Sequence, residues 1–369
     1  MSKRIIALLL ALVMVFALCA CGSTSSDGEG GGSGAGGNGG NGGNSAGGED
    51  VGDETYTIRI ACENSDSYPA TLGLYQMEKY VESHTNGKVQ VEVCASGQLG
   101  GEEETLEQVA QGNLEMAVAS FAPVVSYVPE FEVMDIPFVY NSYTEAWMVL
   151  DSYVGTNLLD KMEAQGLKGM AYMENGMRQV TSNVSAINSI ADFKGVKLRT
   201  MQNNNHMESF SALGANPTPV AFSELYISLS QKVVDAQENP IANVTDKKLY
   251  EVQKYLSLTN HIYDAMPLVC NLEFFNSLPQ AYQKVVQAGA IYAQEFSRFC
   301  NLEREDLILA DLADKYGMQI NEVSADARAE MAKVAQPAVI KLVAKDIGQD
   351  AVDQYMNDVK DVLAQISKF

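Results

Sequence analysis

The residues Tyr56-Thr-Ile-Arg-Ile-Ala-Cys62 alternate apolar and polar side chains with the period of two that marks a half-buried strand. Lys88-Val-Gln-Val-Glu-Val-Cys94 repeats that alternation, and the stretch between, from about Pro69 to His84, has a helical pattern. Gly100-Gly101 precede Glu102-Glu103-Glu104, which opens a second helix where negative charge suits the N-terminal dipole. Helix capping is a better account of this acid run than a metal site. Leu114-Glu-Met-Ala-Val-Ala119 is a short, mostly apolar strand. The βαβαβ order predicts an α/β protein with a parallel sheet and helices on both faces.

A further strand–helix unit begins near Gly169–Met173, with Glu174-Asn175-Gly176 expected as a turn. Asp192-Phe-Lys-Gly195 turns into Val196-Lys-Leu-Arg199, a short strand, and a helix from about Asn204 to Leu213 stops at Gly214. Ser223 is expected to cap the next helix, and Val233–Asn239 to form a strand stopped by Pro240. From Pro279 to about Tyr316 the pattern is helical without internal proline. That is near twice a typical helix and predicts an element bridging two lobes. The tail from about Ala325 is helical, with a break expected near Gln336-Pro337. No internal repeat is visible.

The first residues are a targeting segment by their parts. Lys3 and Arg4 precede an apolar core, Ile5 to Leu18, too short to span a bilayer. Leu18-Cys19-Ala20-Cys21 resembles a bacterial lipobox, so residues 1–21 are expected to be a lipoprotein signal with Cys21 as the lipid-bearing residue. Residues 22–52 are almost all Gly, Ser, Asn, Asp and Glu, a flexible tether reaching roughly 30 Å. The expected address is extracytoplasmic, lipid-anchored to the cell membrane.

Residues 53–369 are long enough for two domains. The formal net charge is −22, and losing Lys3 and Arg4 with the signal takes it to −24. Such acidity argues against a nucleic-acid partner, which needs a basic stripe. Cys62, Cys94, Cys270 and Cys300 lack metal spacing. Cys62 and Cys94 end two strands, and free thiols or a disulfide fit equally well. His84, His206 and His261 suggest no triad or metal set, and each is expected to be surface or structural. Trp147 lies in a helical apolar stripe and reads as packing. No metal or cofactor is expected.

Against that acidic field two arginines stand out. Arg199 ends a strand and Arg178 follows the expected turn, and ligands in open α/β sheets collect at the carboxyl ends of strands. A guanidinium fork matches a carboxylate with two parallel N–H donors, as lysine cannot. The residues therefore point to a small organic anion.

The runs Glu174-Asn-Gly-Met-Arg178-Gln-Val-Thr-Ser-Asn183, Asp192–Arg199, Gly214-Ala-Asn-Pro-Thr-Pro-Val-Ala-Phe222-Ser-Glu-Leu-Tyr226 and Val234-Asp-Ala-Gln-Glu-Asn239-Pro240 add context. With Ser96-Gly-Gln-Leu-Gly100, Asp135-Ile-Pro-Phe138 and Tyr250–Leu256, they resemble the DctP-type solute-binding proteins of tripartite ATP-independent periplasmic (TRAP) transporters. The resemblance covers nearly everything after residue 55, in order. It implies a two-lobed, periplasmic-binding-protein-like α/β fold with hinge strands and the long helix across both lobes. Lobe I would be 53–176 plus 265–304, and lobe II 177–264 plus 305–369. It also implies a permease of a small and a large subunit as partner, and a monomer that is not an enzyme.

By the same resemblance Arg199 grips the ligand carboxylate, Arg178 assists, Asn239 hydrogen-bonds the ligand and Phe222 lines the cleft. Glu63, Ser120 and Gln202 depart from the sialic-acid binders, where asparagine, glutamate and asparagine stand. Glu63 opposite hydroxyls, with arginines opposite a carboxylate, suits a sugar acid such as a uronate or aldonate, although solvated loop residues remain an equal reading of Glu63 and Gln202. Sialic acid, a C4-dicarboxylate or a sensor role on the same fold stay open. In an open cleft Arg199 is expected to be hydrated.

Overall fold

The computed structural model describes residues 54–365, so the expected signal, the lipid site at Cys21 and the whole tether lie outside the described residues. The opening alternation folds as read: β1 (Tyr56–Ala61), α1 (Pro69–His84), β2 (Val89–Cys94), α2 (Glu102–Ala110) and β3 (Met116–Val118). β1 pairs in parallel with both β2 and β3. Pro69 begins α1 where a backbone N–H would have had no helical partner. Two short helices follow, α3 (Tyr143–Leu150) and α4 (Tyr153–Lys161), each started by a serine side chain that accepts a backbone N–H.

Next comes β4 (Leu167–Ser182), sixteen residues long. It runs straight through Glu174-Asn175-Gly176, which is a bulge in a continuous strand and not the expected turn. Gly176 holds φ at +124°, and a side chain there would press on Tyr143 and Pro240. The second half of the chain supplies β5 (Lys197–Thr200), α5 (Asn204–Ala212), β6 (Asn216–Pro219), β7 (Ala236–Pro240) and α6 (Ile241–Asp246). Pro240 is the last residue of β7 and not a stop before it. Ser223 sits inside a 3-10 turn, Phe222–Glu224, and caps nothing. Then follow β8 (Tyr255–Leu258), β9 (Tyr263–Asn271), α7 (Gln280–Ala310), β10 (Gln319–Glu322), α8 (Ala325–Ile347) and α9 (Gln349–Leu363).

The sheet order is β2-β1-β3-β9-β4-β7-β5-β6, with β8 on β4 and β10 on β8. β4 ties the two halves together. Its first part pairs antiparallel with β9, and Arg178–Ser182 pair with β7. The parallel ribbons expected on each side are present, but the central pair β4–β9 runs antiparallel and makes the sheet mixed.

Four apolar clusters cover the faces. Two belong to the first half, one around Phe121, Phe131 and Tyr172 and one around Ile58, Leu74 and Met77. Two belong to the second, around Phe193 and Phe210 and around Leu225 and Leu256. α7 does bridge them: Val286, Ala290 and Ala293 pack in the first half, while Ile308 and Leu309 pack beside Leu312 in the second. Close approach of α1 to α7 depends on Gly73, where a Cβ would lie 2.5 Å from the Ala293 carbonyl oxygen.

α8 bridges as well. It continues through Pro337 instead of breaking there, with Met331 and Ala335 in a second-half cluster and Val339 and Val343 in a first-half one. Packing at both ends of the helix outweighs the proline's missing N–H. The break falls at Gly348. Residues 349–363, expected with lobe II, instead pack Val352, Tyr355, Val359 and Val362 against the first half. Cys62, Cys94, Cys270 and Cys300 are buried free thiols. No helix among the described residues is long and apolar enough to cross a membrane.

Candidate functional site

A cavity of about 270 Å³ opens where the two halves meet, beyond the carboxyl ends of β1, β3, β5 and β7. Arg178, Arg199, Asn239, Phe222, Glu63, Gln202 and Ser120 all line it. The halves touch around it. Asn64 donates to Asn243 (3.0 Å) and Lys247 to the Glu63 carbonyl (3.2 Å), and Ser120 Oγ lies 3.5 Å from the Met201 sulfur. Farther out, Asp135 accepts from Asn203 (2.8 Å) and Asn205 (3.2 Å) and pairs with His206 (3.2 Å).

The two arginines differ in what they have left to offer. Arg178, on β4, lies between β7 and β9 and is fully buried. Its Nε and Nη2 donate to the two carboxylate oxygens of Glu238 (2.5 and 2.8 Å), and Nη1 donates to Asp264 (2.6 Å). Burial alone would raise the Glu238 carboxyl, but the Arg178 charge, the nearby His206 imidazole and a hydrogen bond with His261 hold it well below the usual range. Arg178 is thus a neutralised cation that reaches the cavity wall already paired.

Arg199, at the end of β5, is 1 % exposed, so it is buried and not hydrated as expected. Nε and Nη2 both donate to the Val220 carbonyl (2.9 and 2.6 Å). Nη1 has no partner. Burial lowers its pKa to about 10 against the opposing pull of Glu238, Glu102 and Glu63, and the guanidinium stays charged at neutral pH. A buried, charged donor without an acceptor is costly, and an anion in the cavity would supply what it lacks.

The first half brings carboxylates. Glu63, 8 % exposed, accepts from the Glu102 backbone N–H through Oε2 (3.3 Å), while Oε1 has no partner. Glu102 accepts from the Ser120 N–H (3.0 Å) and Ser120 Oγ (2.5 Å). Burial, then the neighbouring Glu63, push the Glu102 carboxyl up to about 7. Ser120 therefore holds Glu102 in place, and a glutamate borne on α2 reaches the cavity. The acid run does occupy the first turn of α2, as capping requires, yet Glu102 also lines the site. Only its place after a Gly-Gly pair opening a helix hinted at this.

The remaining positions are polar and ordered. Asn239 donates to Gln237 (2.6 Å) and accepts from Asn243 (3.3 Å). Asn243 also donates to Asn175 (3.0 Å), which donates to Asp264 (2.8 Å). Asn64, Asn175 and Asn243 also line the cavity; Asn64 and Asn243 lie in none of the sequence motifs, and Asn175 reads there only as part of a turn. Phe222 sits at the mouth under the Lys247 ammonium, 4.7 Å from its ring centre. Gln202 is exposed at the rim. His84 is exposed, whereas His206 and His261 are buried in the Glu238 network. Trp147 packs, and its ring N–H donates to Glu174 (2.7 Å).

Two α/β halves that share strands and helices and meet around a cavity of small-molecule scale make a two-lobed solute-binding protein. Its sequence places it more narrowly. Residues 60–346 match the bacterial extracellular solute-binding proteins, family 7 (DctP), and the chain belongs to that family, the binding proteins of TRAP transporters. These are extracytoplasmic proteins that bind small carboxylates and work with membrane permeases.

The sugar-acid-binding protein DctPAm of Advenella mimigardefordensis, solved with galactonate, superposes with a TM-score of 0.80 at 32 % identity, over 84 % of this chain and 99 % of that one. The C4-dicarboxylate-binding periplasmic protein DctP of Rhodobacter capsulatus is 31 % identical over 81 % of this chain and 90 % of its own. The 2,3-diketo-L-gulonate-binding periplasmic protein YiaO of Escherichia coli strain K12 is 30 % identical over 69 % of this chain and 77 % of its own.

Proposed function

We propose that the protein captures a sugar acid, an aldonate or a uronate, outside the cell and hands it to a TRAP permease of a small and a large subunit. The observation that carries this is Arg199, a buried guanidinium with one nitrogen, Nη1, outside every internal hydrogen bond, across a cavity from acceptor carboxylates. A carboxylate end fits the first and hydroxyls fit the second. The galactonate and diketogulonate of two relatives have that chemistry. A C4-dicarboxylate is the second reading, favoured by the Rhodobacter relative.

In this reading the protein is a carrier and not a catalyst. Lobe I comprises 53–176 plus 265–304 and lobe II 177–264 plus 305–369, with residues 349–363 riding on lobe I. A ligand that touches both lobes only when they are shut shifts the population toward the shut form. Cys21 carries the lipid, residues 22–52 are the tether, and the protein works as a monomer.

The test is thermal unfolding of the purified protein with uronates, aldonates, sialic acid, C4-dicarboxylates and 2-oxo acids. A ligand at a hundredfold excess over its dissociation constant adds about 2.7 kcal/mol. A large shift with aldonates or uronates alone supports the reading. Shifts confined to dicarboxylates or sialic acid replace the ligand class, and silence across the panel sinks the carboxylate site.

A further inference from the structure

The cavity's charges are unevenly placed, and that asymmetry says more than which end of a ligand meets Arg199. Among the described residues, the lining holds two cations, Arg178 and Arg199, and both come from the second half. Arg178 is no free charge. Glu238 and Asp264, both buried, already contact three of its nitrogens, at 2.5, 2.8 and 2.6 Å. Of the two arginines, Arg199 is the one with a nitrogen, Nη1, that has no hydrogen-bond partner.

The first half answers with Glu63 and Glu102, joined by the 3.3 Å contact from the Glu102 N–H to the Glu63 carboxylate. Glu103 and Glu104 stand at the same edge of the lining. Lys247 reaches the Glu63 main-chain carbonyl and the face of Phe222, and its charge favours the ionised Glu63 carboxylate. The site thus has one vacant cationic position and, across from it, carboxylates with spare acceptor capacity.

From this we propose that Glu63 and Glu102 make the protein a selector of singly charged sugar acids: one carboxylate seats at Arg199, hydroxyls donate to Glu63 and Glu102, and an acid carrying a second carboxylate at its far end is rejected. The proposal rests on the sugar-acid reading above and adds the charge and polarity of the ligand's other end. The physical ground is an asymmetry in what ionised carboxylates accept. A hydroxyl donates to them, whereas a second carboxylate donates nothing and faces like charge from two buried carboxylates. Burial raises both carboxyls, Glu63 against the pull of the Lys247 charge, and Glu102 to about 7 with the charge of Glu63 adding to it, so the pair carries negative charge at pH 7.5. Ser120 positions this wall: its two hydrogen bonds aim Glu102 and support its ionised form.

The experiment compares matched acids that differ at one carbon, galactonate with galactarate and glucuronate with glucarate, by calorimetric titration of the purified protein at pH 7.5. Like charges brought together cost enough that the singly charged member of at least one pair is expected to bind about a hundredfold more tightly. Glu102→Gln and, separately, Glu63→Gln are expected to shrink that ratio to about tenfold or less, chiefly by admitting the diacid. The second variant guards against a folding defect in the first. Equal binding of monoacid and diacid by the unaltered protein overturns the selection while leaving the sugar-acid reading intact. Binding of succinate with none of the four sugar acids overturns both, because a dianion has entered and no sugar acid has. A ratio unmoved in both variants removes the glutamates as its cause.

Discussion

Asp135 of the first half and His206 of the second lie 3.2 Å apart, each with its side chain 2 % exposed. Asn203 and Asn205 donate to the same carboxylate, so Asp135 gathers three side chains from across the interface. His206 Nδ1 is also 3.7 Å from Glu238, which connects this contact to the Arg178 network behind the cavity. The interface between the halves is therefore polar and charged in its interior.

That arrangement sets a pH dependence of stability. Burial lowers His206, but its hydrogen bond to Asp135 and the charges of Asp135 and Glu238 outweigh that and raise the imidazole to about 9. Its folded value exceeds its unfolded one, so its contribution is full below about pH 6.5 and is lost as pH climbs to 9. Burial also raises Glu174 and Glu102 to about 7, and these carboxyls favour the folded state less as pH rises from about 4.5 to 7. Glu238, held low, contributes above its unfolded value and is lost in acid. The melting temperature of the ligand-free protein is expected to peak in mild acid and fall steadily to pH 9. His206→Gln flattens the decline between pH 6.5 and 9, and thermal scans across that range check it.

Removing Arg178 should damage the fold. Alanine at this position leaves Glu238 and Asp264 as uncompensated buried charges, at a cost of about 3–5 kcal/mol. Denaturant unfolding of Arg178→Ala measures it. A loss below 1 kcal/mol would mean that the network reorganises readily.

Arg199 should behave oppositely. Its unpaired Nη1 is a burden to the empty protein, so Arg199→Met is expected to melt at the same temperature or higher, while ligand binding weakens at least tenfold to a hundredfold. Titration and thermal unfolding of one preparation test both halves of this statement.

At Gly73 a methyl group would meet the Ala293 carbonyl oxygen at 2.5 Å and the Met173 Cε at 2.8 Å. Gly73→Ala is expected to cost about 1–3 kcal/mol by forcing α1 away from α7. The check is its denaturation midpoint beside that of the unaltered protein.

The parts of the molecule that were legible beforehand are those decided locally. β1 and α1 follow from a period of two, a period of 3.6 and a proline at the helix start, and the observed α1 has the expected bounds. Arg199 lies at a strand end as read, while Arg178 and Glu63 were drawn to the same cavity by the family resemblance alone. What stayed hidden is decided by distant segments. Asn175-Gly176 has turn chemistry, but pairing with β9 keeps β4 extended through it. Pro337 carries a break signal, but two cores hold α8 together. Glu102 looked like one acid of a capping run until Ser120, eighteen residues on, turned its carboxylate inward. The buried partners of Arg178 come from β7 and β9, sixty and eighty-six residues away, where no local pattern could join them.

The chain crosses between the halves along β4, between β8 and β9, within α7 and again within α8. Neither half is a contiguous stretch of sequence, so a gene segment encoding one of them alone would leave raw edges on the other. Recombination that exchanged a single half would have to splice at several points at once. A lineage built this way is left to diversify its cargo by single-codon changes around the cavity, while the body is inherited whole.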